Sequence, residues 1–530
     1  MNPYGKDRDA LIRCRAMESG HPPAREQETL LQQITNFPSI FWVANWMEVV
    51  ERFAYYGLRS LVPIYMVLAY EHGGPQFDHI QKGIIFGWWA LVQSFLPVMS
   101  GGFADRYGFK LSIGIATAVK IAGYLLMGYA IEIGAALNGG DLATMKGAAG
   151  GEYTFPLFFT GAMLLAAGTA IFKPGLQGLI AITIPKRKAS VGWAIFYQMV
   201  NVGAFVGPLI GGYLRVLDWK DVFLMCTAGI ALNFIPLFFF KEPSKEGGEL
   251  ENKGPLEILK ESFMGLGNIR VLGFTLGFAG FWFMAYSLWD FLPNFIDDWV
   301  DSRGLAAWLQ SWVPGDVPVV NNGMLAAEWM VNFNAFLIMF LAFAIGWVTG
   351  KMRSLMAIVV GIFVASLSIW MLGQSMDGWW CLLAIGVFSF GEMSASPTKM
   401  RYLASIAPPG KEGLYMGYVN MTVGIGWSIL NFAGGHLYEN NADKVNLAKR
   451  HLQEVLDMPT SAVSGLQKTD VMPTLAEKLG TTIDGAREFL WDTYAPHQMW
   501  TYFAAVGIFS MILMLLYDHW AKKNPLPNED

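Results

Sequence analysis

Pro38-Ser-Ile-Phe-Trp-Val-Ala-Asn-Trp-Met-Glu48-Val-Val-Glu51-Arg52-Phe-Ala-Tyr55-Tyr56-Gly-Leu-Arg59 decides the fold class. It opens an apolar stretch running from Pro38 to Tyr70, enough to cross a hydrocarbon core of about 30 Å, which takes about 20 helical residues. Glu48, Glu51, Arg52 and Arg59 nevertheless sit within it. At about 100° per residue, Glu48, Glu51, Arg52, Tyr55 and Arg59 share an arc of roughly 100°, with Tyr56 at its edge. An isolated charge at the bilayer centre costs about 2.5–3.5 kcal/mol on insertion scales, so the stripe must face a wet cavity or its own counter-charges. A purely structural ion-pair cluster would account for the charges but not for the two tyrosines and the extra arginine beside them.

Outward from this segment, runs of similar length recur at Gly83 to Gly102, Leu111 to Ile133, Phe155 to Ile184, Val191 to Leu214 and Val222 to Phe240. A second set follows at Val271 to Phe295, Trp329 to Val348, Leu355 to Gly373, Trp379 to Ser405, Leu414 to Leu437 and Met499 to Tyr517. The expected fold is an all-α membrane protein of twelve transmembrane helices in two six-helix halves. Its expected domains are a tail at 1–36, a bundle at 37–240, a linker at 241–268, helices seven to eleven at 269–437, an insertion at 438–496, a twelfth helix at 497–517 and a tail at 518–530. Lys and Arg crowd one side (Arg106, Lys110, Lys186, Arg187, Lys188, Lys351, Arg353, Lys399, Arg401, Lys411, Lys522, Lys523), whereas the opposite short loops hold few, among them Lys82, Lys146 and Lys220. Both termini are therefore expected in the cytoplasm. The polar tail before Pro38 has no apolar core of a signal peptide. The insertion is long for a connection. Its runs Val445 to Leu456 and Leu475 to Tyr494 have helical apolar spacing, so a small helical cap is expected, with a docking site for a protein partner as the alternative.

Composition excludes several function classes. Of 530 residues, 54% are hydrophobic and 15% charged, and the net charge of -5 offers no basic surface for nucleic acid. Cys14, Cys226 and Cys381 are far apart, and the seven histidines do not cluster, so neither a disulfide, a metal nor a cofactor is expected. Neither H-E-x-x-H nor G-x-S-x-G occurs, which removes two common hydrolase readings. An enzyme is the least expected class.

Gly101-Gly-Phe-Ala-Asp105-Arg106-Tyr-Gly108-Phe-Lys110, in the expected loop after the second helix, resembles the cytoplasmic signature of the major facilitator superfamily. Gly346-Trp-Val-Thr-Gly350-Lys351-Met-Arg353 echoes it after the eighth, as an internal repeat around a midplane site would. Glu48-x-x-Glu51-Arg52-Phe53-x-Tyr55-Tyr56-Gly57 resembles the E-x-x-E-R-F-x-Y-Y-G signature of the proton-dependent oligopeptide transporter family. The resemblance continues through Gly168 to Pro174, Phe196 to Gly203, Trp329 to Asn334, Gly391-Glu392-x-x-x-Ser396-Pro397, Met416-Gly417 and Thr422 to Trp427. It implies a proton-coupled symporter of di- or tripeptides or peptide-like zwitterions. Glu48, Glu51, Arg52 and Lys173 would carry proton coupling, and Asp105 and Arg106 would form a conformational loop. Arg59 and Lys173 would meet the substrate carboxylate and Tyr197, Asn201 and Glu392 its amino end, while Tyr55, Tyr56, Asn334 and Trp427 would line pockets. Two departures matter: the extra helix pair often found between the halves of bacterial members is not expected here, and Tyr286 stands where the family has a glutamate, with Asp290, one turn on, the expected surrogate at an outer gate, or else an interfacial aspartate beside Asp297 and Asp298.

The expected partners are therefore protons, a small peptide or peptide-like substrate and the lipid bilayer of a cell membrane, an inner membrane if the source is a Gram-negative bacterium. A transporter of nitrate, a peptide-like metabolite or a drug is the same-fold alternative. A transporter-derived scaffold or receptor acting through the 438–496 insertion is the alternative from another class.

Overall fold

Apolar runs of this length have one way to satisfy their backbone without water, which is to coil into helices. The computed structural model describes residues 37–139, 147–185, 189–241, 260, 267–320, 322–408 and 412–526, excepting the side chains of 98–107, 147–149, 189–190, 412–414 and 416–417. The first six long helices are α1 (Ser39–Arg59), α2 (His79–Tyr107), α3 (Phe109–Gly128), α4 (Thr154–Thr183), α5 (Ala189–Leu217) and α6 (Trp219–Ala231), the last continued by Phe234–Phe239. The second half comprises α7 (Ile269–Asp290), α8 (Phe333–Gly350), α9 (Ser354–Met371), α10 (Gly378–Ser405) and α11 (Glu412–Asn441). The insertion contributes α12 (Lys444–Glu454), α13 (Val471–Leu479) and α14 (Ile483–Tyr494), and α15 (Gln498–Lys523) completes the bundle. Among the described residues nine helices are long and apolar enough to cross a membrane, and the more polar α1, α2 and α11 bring the long helices to twelve.

Side-chain caps start several elements. Asp218, Asn268, Asp377, Asp443 and Thr482 accept from backbone N–H groups at the starts of α6, α7, α10, α12 and α14, satisfying donors that the helix leaves free. Pro97, Pro174, Pro208 and Pro397 lie inside α2, α4, α5 and α10, where each removes one ladder hydrogen bond.

Close approach of α5 to α1 fixes the setting of the charged stripe. A Cβ at Gly203 would lie 2.4 Å from the Val49 carbonyl oxygen, and one at Gly207 2.3 Å from that of Phe53. This is the small-xxx-small spacing that lets membrane helices touch backbone to backbone. The halves meet chiefly where α2 packs on α11. Their cores interlock there: Ile64 packs with the second half's cluster and Trp427 with the first half's.

The insertion is helical and shares the core of the second half. Leu447, Leu452, Val463, Leu475 and Leu490 are buried in the same cluster as Phe295 and Trp500. It also reaches the first half, since Lys468 Nζ donates to the Val67 carbonyl at 2.8 Å and Asp443 meets His79 at 3.2 Å.

Several boundaries differ from the sequence-based expectation. α11 runs on to Asn441 and α15 extends to Lys523, so the insertion and the last tail are shorter. Asp105 and Arg106 fall in the last turn of α2 rather than in a loop, because Gly108, at φ 96°, turns the chain immediately before α3. Lys82, Lys399 and Arg401 are also helical: Lys82 is fully buried in α2, and the other two lie in α10. The 1–36 tail with Cys14, most of the linker, Lys146, Lys186 to Lys188, Lys411, and the side chains of Asp105, Arg106 and Met416 lie outside the described residues.

Candidate functional site

The stripe on α1 resolves into two charge clusters at different heights. In the lower one Glu51 is held by Lys120 of α3 and by Arg52, while Arg52 Nε lies 3.1 Å from Glu48. All four are at most 4% exposed. Two carboxylates and two cations cancel, which is the condition for burying them. The Arg52 guanidinium also lies over the Tyr55 and Tyr56 rings, at 5.3 and 5.8 Å from their centroids, which accounts for the aromatic neighbours.

Lys120 was absent from the sequence-based cluster, and Lys173 was expected in its place. Lys120 makes the direct contact with Glu51, whereas Lys173, with no carboxylate within 4.0 Å among the described residues, acts on Glu48 and Glu51 from farther off and lines the cavity. The signal was available as a lone lysine inside the third apolar run, but sequence alone does not say which of two neighbouring helices turns its cation toward Glu51.

The upper cluster joins the halves. Arg59 pairs with Asp290 at the end of α7, and Asp290 Oδ2 also accepts from Trp427 Nε1 at 2.7 Å and Asn431 Nδ2 at 2.6 Å. Lys82 donates to the Asp290 carbonyl at 3.0 Å and to Asn294 Oδ1 at 2.6 Å, and Asn294 Nδ2 donates to the Pro63 carbonyl at 2.9 Å. Asp290 thus stands apart from Glu48 and Glu51 and against Arg59. Tyr286, where the resemblance implies a glutamate, stacks on Trp427 with ring centroids 4.3 Å apart. Trp427 is fully buried behind this wall rather than lining the cavity. Arg215 Nε and Glu328 Oε1, 2.8 Å apart, form a second buried bridge between the halves that the sequence reading missed.

Beneath this layer lies a cavity of about 300 Å³. Arg52, Tyr55, Tyr56, Arg59, Lys173, Tyr197 and Asn201 line it from the first half, and Trp282, Tyr286, Trp289, Asn334 and Glu392 from the second. Tyr55 donates to Gln93 Oε1 at 2.9 Å, and Asn201 Nδ2 donates to the Tyr197 carbonyl within α5 at 2.8 Å. Asn334 Nδ2 donates to Glu392 Oε2 at 3.0 Å and to Ser389 Oγ at 3.1 Å. The geometry thus sets cationic side chains of one half and a carboxylate of the other around one space with aromatic walls, a setting suited to a small ligand of mixed charge.

Among the described residues, the hydrogen bonds and ion pairs that join the halves run from the insertion down to cavity level. Asn332 Nδ2 donates to the Phe205 carbonyl at 2.8 Å and Trp329 Nε1 to that of Leu209 at 3.2 Å. The deepest, Gln198 Nε2 to the Met339 carbonyl at 3.4 Å, sits beside the cavity residues Asn201 and Ile338. The halves are bonded together on the insertion side of the cavity.

The model of the Major Facilitator Superfamily matches residues 48–430. The chain belongs to that superfamily. Its curated relatives include "Multidrug resistance protein MdtH" of Enterobacter sp. (strain 638), 24% identical over 367 residues that cover 68% of this chain and 78% of the relative. The same-named protein of Salmonella typhi is 24% identical over 362 residues, with the same coverage. Among solved structures, a POT family transporter in complex with 5-aminolevulinic acid aligns with a TM-score of 0.61 and 16% identity, covering 91% of this chain and 96% of that one. Peptide transporter POT in complex with sulfate aligns at 0.59 and 17%, covering 92% and 95%. The fold is therefore the major facilitator fold, and the protein is a multi-pass membrane transporter.

Proposed function

We propose that this transporter is a proton-coupled symporter that imports di- or tripeptides or peptide-like zwitterions, with both termini in the cytoplasm and the insertion outside. The observation that carries the reading is the cavity itself, where Arg59 and Lys173 of one half and Glu392 of the other face a common space. A zwitterion bridges such groups, so its binding draws the halves together as alternating access requires. Proton coupling is assigned to the α1 cluster. Protonating Glu51 forfeits two ion pairs, whereas protonating Glu48 forfeits one, so Glu48 is the carboxylate that gives up least. Its protonation loosens Arg52 toward the cavity it lines.

The test is uptake of labelled dialanine by purified protein in liposomes under an imposed inward proton gradient. Accumulation that collapses with the gradient supports the reading. The curated relatives favour a second reading, drug extrusion. No peptide uptake, together with proton-driven movement of an organic cation in the opposite direction, would replace the first reading with the second.

A further inference from the structure

The charges around the cavity do not sum to those of a neutral zwitterion. Arg52 is neutralised within the lower cluster and Arg59 by Asp290. Two ammonium groups remain. Lys173 of α4 lines the cavity and has no carboxylate within 4.0 Å among the described residues; Glu48 and Glu51, already paired with Arg52 and Lys120, act on it from farther off. Lys399 of α10, 5% exposed, likewise has neither an ion pair nor a hydrogen bond there. It is not itself among the lining residues: its Nζ rests 3.8 Å from the centroid of Trp282, a cavity-wall residue that separates it from the space. The charged groups that act on Lys399 are Glu392, two turns earlier on the same helix, and Lys173 on the other half. Against these two cations stands one anion: among the described residues Glu392 is hydrogen-bonded only to the neutral Asn334.

We propose that Lys399 is an anion-binding group of the cavity, and that the preferred substrate is a peptide of net charge -1, carrying a second acidic group in addition to its terminal carboxylate. This rests on the peptide reading above. The ligand's ammonium meets Glu392, one acid meets Lys173 and the other meets Lys399 beside Trp282, so that every unpaired charge in and next to the cavity is matched. A neutral dipeptide leaves one buried ammonium without a counter-ion, and the shortfall appears as weaker binding. Trp282 holds the lysine by cation–π attraction while the site is empty.

The experiment measures equilibrium binding of Ala-Glu and of dialanine to the purified wild-type carrier and to Lys399→Gln and Lys399→Arg. The wild type is expected to bind Ala-Glu at least about tenfold more tightly, the effect of one charge-assisted hydrogen bond. Lys399→Gln should bring that ratio to within about twofold of one, and Lys399→Arg should keep the preference. A wild type indifferent to the added acid overturns the proposal, and so does a ratio that survives Lys399→Gln. If Lys399→Gln does not fold, the wild-type ratio and Lys399→Arg still decide. If the wild type binds neither peptide, the peptide reading is what fails, and thermal protection by glutarate judges the anion site. Protection lost in Lys399→Gln upholds Lys399 as an anion-binding group, and protection equal in both, or absent from both, overturns it.

Discussion

Replacing Asp290 by asparagine keeps the shape of the upper cluster and removes only its charge. The amide oxygen still accepts from Trp427 or Asn431, but Arg59, 5% exposed, loses its counter-ion while the halves stay closed on the insertion side. Removing one partner of a buried pair costs about 3–5 kcal/mol. The penalty falls on the closed form, because opening admits water to the guanidinium. At about 1.4 kcal/mol per factor of ten, even the lower figure moves the equilibrium toward the form open on that side by roughly a hundredfold. Two measurements read this. Nitroxide labels at His72 and Trp312, exposed positions on the first and second halves, should report a longer distance in Asp290→Asn than in the wild type. Proton-driven accumulation should fall while substrate binding is kept. The double variant Asp290→Asn/Arg59→Gln removes the orphan charge and should return the distance toward that of the wild type. Unchanged distances with normal accumulation would show that Asp290 is an ordinary interfacial aspartate.

The lower cluster predicts a non-additive pair: Glu51→Gln strands Lys120 and should lower the thermal midpoint in detergent sharply, whereas Glu51→Gln/Lys120→Met should recover most of the loss. Equal midpoints for single and double variants would show that the contact carries no energy. Glu392→Gln should weaken dialanine at least about tenfold and N-acetyl-dialanine much less; equal weakening would place the ligand's ammonium elsewhere. At the insertion, burial of the Asp443 carboxyl favours its neutral form, but the His79 hydrogen bond, Lys468 and the Asn446 N–H outweigh this and hold it below the usual carboxylate range. A lowered carboxylate contributes fully above its ordinary range and is lost only as pH falls through its folded value. The Asp443–His79 contact should therefore contribute equally between about pH 5 and 8, whereas Asp298, pushed up to about 6 by burial and paired with Lys444 of α12, titrates within that window; a loss of protease resistance there that persists in Asp298→Asn but vanishes in Asp443→Asn would overturn this reading of Asp443. Lys468→Ala should make the insertion easier to cleave, by removing its bond to Val67.

The helices were legible because their cause is one-dimensional: a run of apolar residues of fixed length has few alternatives in lipid. The stripe on α1 was legible for a related reason, since the helical period alone places Glu48, Glu51, Arg52, Tyr55 and Arg59 together. Partner choice was not legible. Lys120 and Lys173 each stand within a single apolar run, and only the packing of α3 and α4 decides which reaches Glu51. Lys82, Lys399 and Arg215 were obscured differently. Each lies near the end of a run, where charge usually marks a loop, and each is drawn into the protein by a group supplied from elsewhere: Asn294, Trp282 and Glu328. The displaced acid in α7 could be named because the resemblance puts a glutamate at Tyr286, one turn away; that it meets Arg59 rather than Arg52 is decided by packing.

These contacts divide the charges of the interface by function. On the insertion side the two halves satisfy one another, through Arg59 with Asp290 and Arg215 with Glu328, and no ligand is needed to hold them closed. Lys173 and Glu392 in the cavity lining, and Lys399 against the wall residue Trp282, remain without a partner of opposite charge within 4.0 Å among the described residues. Closing the other side around these groups brings like charges of α4 and α10 nearer, which costs energy unless an anion lies between them. If the proposed function holds, the empty carrier is thereby biased toward the form bonded at the insertion, and a ligand that matches these charges removes the bias. Lys399→Gln lowers that electrostatic cost and should speed reorientation of the empty carrier, seen as faster net uptake relative to exchange at saturating substrate. A ratio of net uptake to exchange that does not move would separate Lys399 from the conformational cycle and leave it a role in binding alone.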